Sequence, residues 1–415
     1  MIRNYFKIAV RNLRIGGWYS ALNIGGLAIV LSVSLLLFQW VRNELSFDRF
    51  HADSHRIYQV NVHFGKGEDE YTATSTPGPI ALAALREMPE VESAVRIGDY
   101  PSATFCAGNN TFTEKDNLAY TDANFVEIFN GFKVLHGDRN MLFPAPNSVV
   151  LSQKLAHKFF GTADAIGKTF THVESNATFT VSAVLEDAPA NSSFRNDMYV
   201  NLAVLKTSDS KKAGRNVDEN WEDYGFGTYL KLAADANPLV VAKKLTAIQA
   251  NTRKDAANPS DFQLQPISEI HLYAVEGNES MGKQVGMMGA VALLLLSIGC
   301  INYVNLTTAR ATRRSKEIGI RKVVGAGSQQ LAMQLLVESL LTLSLALVLS
   351  IGLLQGILPF YATMTGNSVY FSLLDLQTWQ ILLGALTFCF VLAGIYPAFL
   401  ISGFNPVQAL KGASR

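Results

Sequence analysis

The sequence predicts an α-helical membrane protein with four transmembrane helices and a large α+β extracytoplasmic domain inserted between the first and second helices. Three observations lead to this prediction: four long apolar runs, a polar region at residues 42–284 between the first two runs, and an uneven distribution of basic residues. Of the 415 residues, 49% are hydrophobic and 17% are charged. In an ordinary soluble protein about a quarter of the residues are charged.

The average composition conceals two parts of different charge. Residues 42–284 carry 23 Lys or Arg and 31 Asp or Glu, a net charge of −8, whereas the rest of the chain carries 12 basic and 3 acidic residues. The polar part is long enough for two subdomains, with the stretch 207–220 as their junction. Three cysteines, of which one lies in the polar part and two in apolar runs, predict no disulfide framework.

Four apolar runs are long enough to cross a membrane. A helix of about 20 residues spans the hydrocarbon core of about 30 Å. The alternative for the first run is a signal peptide, but the run is long for a signal core and no small-x-small cleavage site follows it. The predicted spans are residues 19–41, 285–306, 335–360 and 379–401.

Basic residues in the short flanks predict the orientation, because they resist crossing the membrane. The flank 1–18 carries four basic and no acidic residues, and the link 307–334 carries six basic residues against Glu317. The loop 361–378 has no Lys or Arg, whereas the tail 402–415 has two. Both termini are therefore expected in the cytoplasm and the large domain on the outer side.

The polar region alternates between strand and helix patterns. Runs of period two predict strands, and periods of three to four predict helices, which together indicate an α+β fold. The predicted strands are 57–64, 148–151, 169–172 and 179–185, and the predicted helices are 79–88, 153–160 and 239–251.

Two short patterns resemble binding motifs without meeting their requirements. Residues 161–169 read GTADAIGKT, but five residues rather than four separate the first glycine from the Gly-Lys pair of a phosphate-binding loop. His51 and His55 have a spacing that suits zinc, yet no glutamate stands where a metalloprotease needs one. We expect no catalytic residue, cofactor site or metal site on this chain, and no enzyme activity of its own.

The link between the second and third spans carries a charged stripe. If it is helical, its charges recur at spacings of three and four, and Gly325 and Gly327 end the helix. Two interpretations remain open, namely a basic helix held on anionic lipid and a docking surface for another protein. The members of the stripe are Arg310, Arg313, Arg314, Glu317 and Arg321.

Four segments resemble the MacB/FtsX/LolC-type permeases of ABC transporters. KEIGIRK at 316–322, followed by Gly325 and Ala326, matches that family's signature between its second and third spans. NSVVLSQKLAHKFFGTADAIGKT at 147–169 is similar to the strand, helix and glycine turn of a MacB-like periplasmic core domain. NELSFDRFHADSHRIYQV at 43–60 and GIYPAFLISGFNPVQALKG at 394–412 resemble the segments after the first and last spans of the FtsX-like transmembrane domain.

The resemblance implies a permease driven by an ATPase on a separate chain. Such permeases pair as dimers and recruit two cytoplasmic ABC ATPase subunits, which bind ATP and Mg and whose closure moves the helices and the periplasmic domains. Glu317 and Arg321 are the expected ion-pair partners within the coupling segment. The ATPase-coupling residues implied by the resemblance are Arg313, Arg314, Lys316, Glu317, Ile318, Gly319, Arg321, Lys322, Gly325 and Ala326.

The amino-terminal segment resembles the elbow helix of this family, which lies on the inner membrane surface. The alternative is that its charges serve only to set the topology. Its basic residues recur along one side of a helix and are Arg3, Lys7, Arg11 and Arg14.

The resemblance also implies a location and partners. The expected location is the bacterial inner membrane, and the expected partners are the ATPase, membrane lipid and a periplasmic or outer-membrane protein, without nucleic acid. The subgroup with an ELSFDRF-like segment commonly repeats the whole unit twice, but this sequence contains it once. The chain is therefore expected to pair with itself or with a homologous half-permease, or to be a fragment.

Three functions are consistent with this reading. The first is efflux, the export or extraction of a substrate from the membrane or periplasm. The second, as in the FtsX branch, is the activation of a periplasmic cell-wall hydrolase without transport. The third is a membrane-anchored receptor without a motor.

Glu338 is the one charged residue within the predicted spans. A carboxylate inside a membrane is a candidate functional group by default. This one lies close to the predicted cytoplasmic end of its span, so we expect it to pair with basic residues of the preceding link.

Overall fold

The chain forms two compact units. A helical unit comprises Met1–Asn43 and Lys283–Arg415, and an inserted domain comprises Glu44–Gly282. The computed structural model describes residues 2–65, 70–115, 117–207, 216–252, 260–273, 275, 281–313, 320, 327–365 and 371–395.

The described α-helices are numbered in chain order. Two 3-10 turns, Ser54–Arg56 and Ile267–Glu269, lie in the inserted domain, and a π-helix, Phe390–Ile395, directly follows the last α-helix. The α-helices are α1 Ile2–Leu45, α2 Pro79–Glu87, α3 Phe125–Ile128, α4 Gln153–Phe160, α5 Val204–Thr207, α6 Pro238–Thr252, α7 Met281–Arg313, α8 Ser328–Thr365 and α9 Leu376–Cys389.

The described strands all belong to the inserted domain, between α1 and α7 in the chain. They are β1 Ile57–Phe64, β2 Tyr71–Ala73, β3 Val91–Asp99, β4 Ala103–Ala107, β5 Asn110–Glu114, β6 Leu118–Thr121, β7 Val134–Gly137, β8 Ser148–Ser152, β9 Thr169–His172, β10 Thr178–Leu185, β11 Met198–Asn201, β12 Phe226–Leu232 and β13 Ser260–Pro266.

Four helices in the described part of the chain are long and apolar enough to cross a membrane. Their bounds by this criterion are Arg3–Leu45, Met281–Ala309, Ser328–Met364 and Leu376–Ile395. Each of the first three contains one predicted run and extends beyond it at both ends, and the fourth overlaps the run 379–401 as far as Ile395. The end of that run, 396–401, lies outside the described residues. The α+β domain between the first and second of these helices is also as predicted.

The helical unit has a buried core and an apolar outer surface. Leu31, Leu35, Leu296 and Leu343 are almost fully buried between the helices. The outward positions carry large apolar side chains as well, for example Val348, which is 66% exposed. A helix that is apolar all round needs an apolar surrounding, so this pattern is typical of helices in lipid.

The strands of the inserted domain form one continuous mixed sheet. The order of the paired strands is β13-β1-β12-β3-β6-β11-β8-β10-β9-β4-β5, with β2 on β1 and β7 on β10. The pairs β8–β10 and β6–β11 are parallel, and the other pairs of this order are antiparallel.

Aromatic side chains from the second half of this sheet build a core against α4. Phe105, Phe170 and Phe179 are buried on one face of β4, β9 and β10, and Phe159 of α4 packs against them. Three separate clusters of buried side chains line the sheet along its length. Burial of apolar surface, at about 25 cal/mol per Å², is the main stabilising contribution in such a core.

Several predicted elements of the inserted domain are confirmed. The strand 57–64 and the helix 153–160 have the predicted bounds, and the helix predicted at 239–251 is one residue longer at each end. The helix α4 begins where the Ser152 hydroxyl accepts a hydrogen bond from the Leu155 amide, and it ends at Gly161 in the left-handed conformation. The predicted junction 207–220 overlaps residues 208–215, which lie outside the described residues.

Candidate functional site

The coupling residues predicted from the sequence stand between α7 and α8. Arg313 is the last residue of α7, and α8 begins at Ser328. Arg314, Lys316, Glu317, Ile318, Gly319, Arg321, Lys322, Gly325 and Ala326 lie outside the described residues, together with the predicted pair Glu317–Arg321. The structure therefore describes the helices that carry both ends of this segment. We refer to the end of the helical unit at which α7 ends and α8 begins as the linker end.

The first helix has a kink that separates a short amphipathic part from the long apolar part. The kink is at Gly17, whose φ of 47° and ψ of −125° fall in a region that side chains with a Cβ rarely adopt. Before the kink, Ala9 is fully buried and the neighbouring positions Ile8 and Leu13 are half-buried. The basic residues Arg3, Lys7, Arg11 and Arg14 are all exposed.

A hydrogen bond joins this amphipathic part to α8. The Asn12 side-chain amide donates to Oε2 of Glu338 over 3.0 Å. The structure thus gives Glu338 a partner 326 residues away in the chain. The expected pairing of Glu338 with basic residues of the link stays a prediction, because the side chains of those residues are not among the described ones. Sequence reasoning missed Asn12, because an asparagine on an amphipathic helix carries no signal of its own.

Two further contacts tie helices together at the linker end. The Tyr19 hydroxyl, just after the kink in α1, donates to the backbone carbonyl of Leu306 in α7. Tyr303 of α7 is 3% exposed, and its hydroxyl lies close to Ser339 and Thr342 of α8, which are also buried. The first helix, α7 and α8 are therefore connected by polar groups close to the predicted coupling segment.

At the opposite end of the helical unit, α1 is connected to α9. Arg42 forms an ion pair of 2.6 Å with Asp375 and also donates to Gln377 over 3.0 Å and to Thr378 over 3.3 Å. Asp375 is the N-cap of α9 and accepts from the Gln377 and Thr378 amides. Partial burial tends to raise the pKa of Asp375, but the bonds from Arg42, Gln377 and Thr378 outweigh it and lower this pKa below its usual value.

Within the inserted domain, the segment that follows α1 is held by a second polar cluster. His271 bonds Glu44 through Nε2 and stacks on Phe47, with ring centroids 3.4 Å apart. Asp48 is fully buried and accepts from the backbone amide and the hydroxyl of Ser193 over 2.9 and 2.6 Å. Burial raises the pKa of Asp48, although the bonds from Ser193 oppose this shift. The ELSFDRF-like segment thus anchors the start of the domain.

The two histidines of the zinc hypothesis have separate surroundings. His51 is 1% exposed, and its Nδ1 accepts a hydrogen bond from the Gly131 amide over 3.0 Å, while His55 lies in the first 3-10 turn. Burial lowers the pKa of His51 to about 4, so the ring is neutral at pH 7. Among the described residues, no group of three or more His, Cys, Asp or Glu side chains is arranged to hold a metal ion.

The segment GTADAIGKT is a turn between α4 and β9. Gly161 ends α4, Ala165 is fully buried, and the Gly167 amide bonds the Val181 carbonyl. The segment follows a helix and leads into a strand, which is the reverse of the order in a phosphate-binding loop. Gly161 and Gly167 are therefore residues of the turn between α4 and β9.

Two family models match the chain. Residues 20–248 match the MacB-like periplasmic core domain, and residues 289–406 match the FtsX-like permease C-terminal region. The first match covers more than half of the chain, and together the two extend over both units.

The chain is also similar to individual proteins. It is 24% identical over 398 residues to the uncharacterized ABC transporter permease YknZ of Bacillus subtilis, covering 85% of this chain and 90% of that one. It is 22% identical over 414 residues to the macrolide export ATP-binding/permease protein MacB of Wolinella succinogenes, covering 97% of this chain but 60% of that one. The periplasmic region of MacB from Actinobacillus actinomycetemcomitans aligns with 53% of this chain and 94% of its own, at 18% identity and a TM-score of 0.37.

Proposed function

The chain belongs to the ABC transporter permeases that combine a MacB-like periplasmic core domain with an FtsX-like permease region, and on this basis we propose how it works. It is the membrane subunit of a mechanotransmission transporter, which couples ATP hydrolysis by a separate ATPase to movement of the inserted domain. That movement exports a substrate or extracts it from the membrane or periplasm. ATP and Mg are bound by the partner ATPase.

The observation that carries this proposal is the set of polar contacts at both ends of α1. At the linker end, α1 is joined to α7 through Tyr19 and to α8 through Asn12. At its other end, Arg42 joins α1 to α9. The helix ends at Leu45, two residues inside the inserted domain. A helix connected in this way moves when the linker end moves, and the chain continues from it directly into the domain.

The ATPase binds the segment between α7 and α8. Its basic stripe includes Arg313, Arg314 and Arg321, and acidic side chains of an ATPase are suited to pair with these guanidinium groups. The segment leaves α7 directly and enters α8 after Gly327, so a displacement on ATP binding reaches both helices. The termini and this segment are cytoplasmic, because all three carry basic residues and the loop 361–378 carries none.

A complete transporter needs a second permease unit. An ATP-driven pair of ATPase subunits acts on two coupling segments, and this sequence contains one. The second unit is another copy of this chain or a homologous half-permease, in the bacterial inner membrane with the inserted domain in the periplasm.

The test is to purify the chain from its native membrane in mild detergent and identify its bound subunits by mass spectrometry. A nucleotide-binding subunit in stoichiometric amount is expected with the unchanged chain, and its loss is expected with Arg313→Glu, Arg314→Glu and Arg321→Glu combined. The matched control reverses three exposed charges of the inserted domain, Arg86, Lys133 and Lys154, which are 74, 74 and 67% exposed. This control should retain the subunit.

Three results would contradict the proposal or a part of it. Reproducible purification without any nucleotide-binding subunit favours a receptor, and undiminished binding by the triple variant removes the coupling residues from this segment. Recovery of a cell-wall hydrolase on the inserted domain, with no effect of ATP on substrate movement, favours regulation of that hydrolase instead of transport.

A further inference from the structure

The amphipathic part of α1 packs against the helical unit through one of its faces. Ala9 on this face is fully buried, and Tyr5, Ile8 and Leu13 are half-buried at spacings of three to five residues. Asn12 belongs to the same face and is half-buried, whereas the basic residues point away from it. The packed face thus carries an amide, and this amide bonds a carboxylate of another helix.

Glu338 is the carboxylate in question, and it lies in a run that is otherwise apolar. A charge in this position is costly unless hydrogen bonds satisfy it. The Asn12 amide at 3.0 Å supplies such a bond, and leaving a buried polar group without its bond costs more than the bond itself contributes. Separating Asn12 from Glu338 therefore has a cost, which makes the two helix segments move together.

The turn of α8 that carries Glu338 also contacts two other helices. Ser339 and Thr342 are buried close to the hydroxyl of Tyr303 of α7. A Cβ placed on Gly394, in the π-helix after α9, would lie 3.5 Å from the Cβ of Ser339. Elements from all four helices of the unit therefore meet at one turn of α8, near the linker end.

We infer that Asn12 and Glu338 are positioning residues that carry the movement of α8 to α1. The inference rests on the proposed function, in which the ATPase displaces the linker end. When α8 is displaced, the Asn12–Glu338 bond takes the amphipathic part of α1 with it, and the kink at Gly17 passes the movement to the long part of α1.

An exchange of the two groups tests this inference. Asp has the shape of Asn, and Gln has the shape of Glu, so Asn12→Asp combined with Glu338→Gln keeps an amide–carboxylate hydrogen bond with donor and acceptor exchanged. Asn12→Asp alone places two carboxylates together, and Glu338→Gln alone leaves a weaker bond between neutral groups. Asn12→Ser is a milder variant that shortens the side chain without adding charge. The matched control is Asn4→Asp on the exposed side of the same helix.

The readouts are ATP hydrolysis by the permease–ATPase complex and an ATP-dependent distance change within the helical unit. Spin labels at Ile15→Cys and Leu374→Cys suit the second readout, because these positions are 70 and 98% exposed. Cys106 is replaced by Ser, while Cys300 and Cys389 are buried and protected from the label.

We expect Asn12→Asp to reduce the ATP-dependent distance change at least fivefold with the ATPase still bound, and the exchanged pair to restore it to within twofold of the unchanged chain. Asn12→Ser should show an intermediate loss, and Asn4→Asp none. An unchanged response in Asn12→Asp and Asn12→Ser, or an exchanged pair no better than the worse single variant, overturns the inference while the ATPase association still supports the proposed function. Absence of the ATPase from the unchanged chain instead overturns the proposed function, and the inference with it.

Discussion

The inserted domain and the helical unit use polar groups in different ways. The inserted domain contains a buried charged group, Arg96 of β3, which is 1% exposed and bonds Asp122 and Asp218 over 2.8 and 2.7 Å. In the helical unit, the polar contacts described above lie near the ends of the helices. In water, apolar burial stabilises a core and buried polar groups must be satisfied within it. In lipid, helix association depends on close packing and hydrogen bonds, so a single polar pair has more influence on how helices move.

The largest effect is expected for the buried guanidinium of Arg96. Arg96→Met keeps an apolar stem but removes the guanidinium group that bonds the carboxylates of Asp122 and Asp218. Breaking a buried ion pair from one side costs about 3 to 5 kcal/mol, which should appear as faster hydrogen exchange in β3 and β6 of the purified chain. The control Arg86→Met removes a charge that is 74% exposed and should change exchange little. Unchanged exchange in Arg96→Met would contradict this prediction, because the buried network would then not stabilise the domain.

The stability of the inserted domain is expected to depend on pH through the buried His51. Burial lowers the pKa of His51 to about 4, so the unfolded chain, with an ordinary pKa of about 6.5, binds a proton first as the pH falls. Neutral His51 therefore makes its full contribution to the free energy of unfolding above about pH 6.5. This free energy decreases by about 3 kcal/mol as the pH falls towards 4. Hydrogen exchange of the strands, measured between pH 7 and 4 and corrected for the intrinsic rate, checks this decrease.

The control for this prediction is His51→Phe, which keeps a ring among the neighbouring aromatic side chains. It loses the acceptor for the Gly131 amide, so stability at pH 7 should fall by about 1 kcal/mol. Its stability should then change less between pH 6.5 and 4 than that of the unchanged chain. An identical pH profile in both proteins would assign the pH dependence to other groups.

The smallest effect is expected at the Arg42–Asp375 ion pair of the helical unit. Both side chains are 23% exposed, and such pairs contribute up to about 1 kcal/mol. Asp375→Asn keeps an N-cap for α9 but loses the charge, so it should lower the thermal stability of the detergent-solubilised chain by a few degrees at most. The contribution is present at neutral pH, because the pKa of Asp375 is lowered, and it is lost as the pH falls below about 4. A larger loss would mean that this pair acts like a buried one.

Much of the fold could be predicted from local patterns. The strand Ile57–Phe64 and the helix Gln153–Phe160 have their predicted bounds, because alternation, an N-cap serine and a terminal glycine are signals within a few residues. The coupling segment was recognised from the motif KEIGIRK and remains a prediction, since its residues lie outside those described. The partner of Glu338 was not predictable in the same way, because an amide 326 residues away leaves no trace in the local pattern.

Four apolar helices, an α+β domain between the first two and membership in a permease family could be predicted from the amino-acid sequence alone. Each of these depends on composition, periodicity or a continuous motif, and each can be read within a short window of the chain. The folded structure was needed to find that Asn12 bonds Glu338, that Arg42 joins α1 to α9, and that His51 is buried and bonds the Gly131 amide. These contacts depend on which distant residues share a surface once apolar faces are buried, and that choice is made by packing of the whole chain.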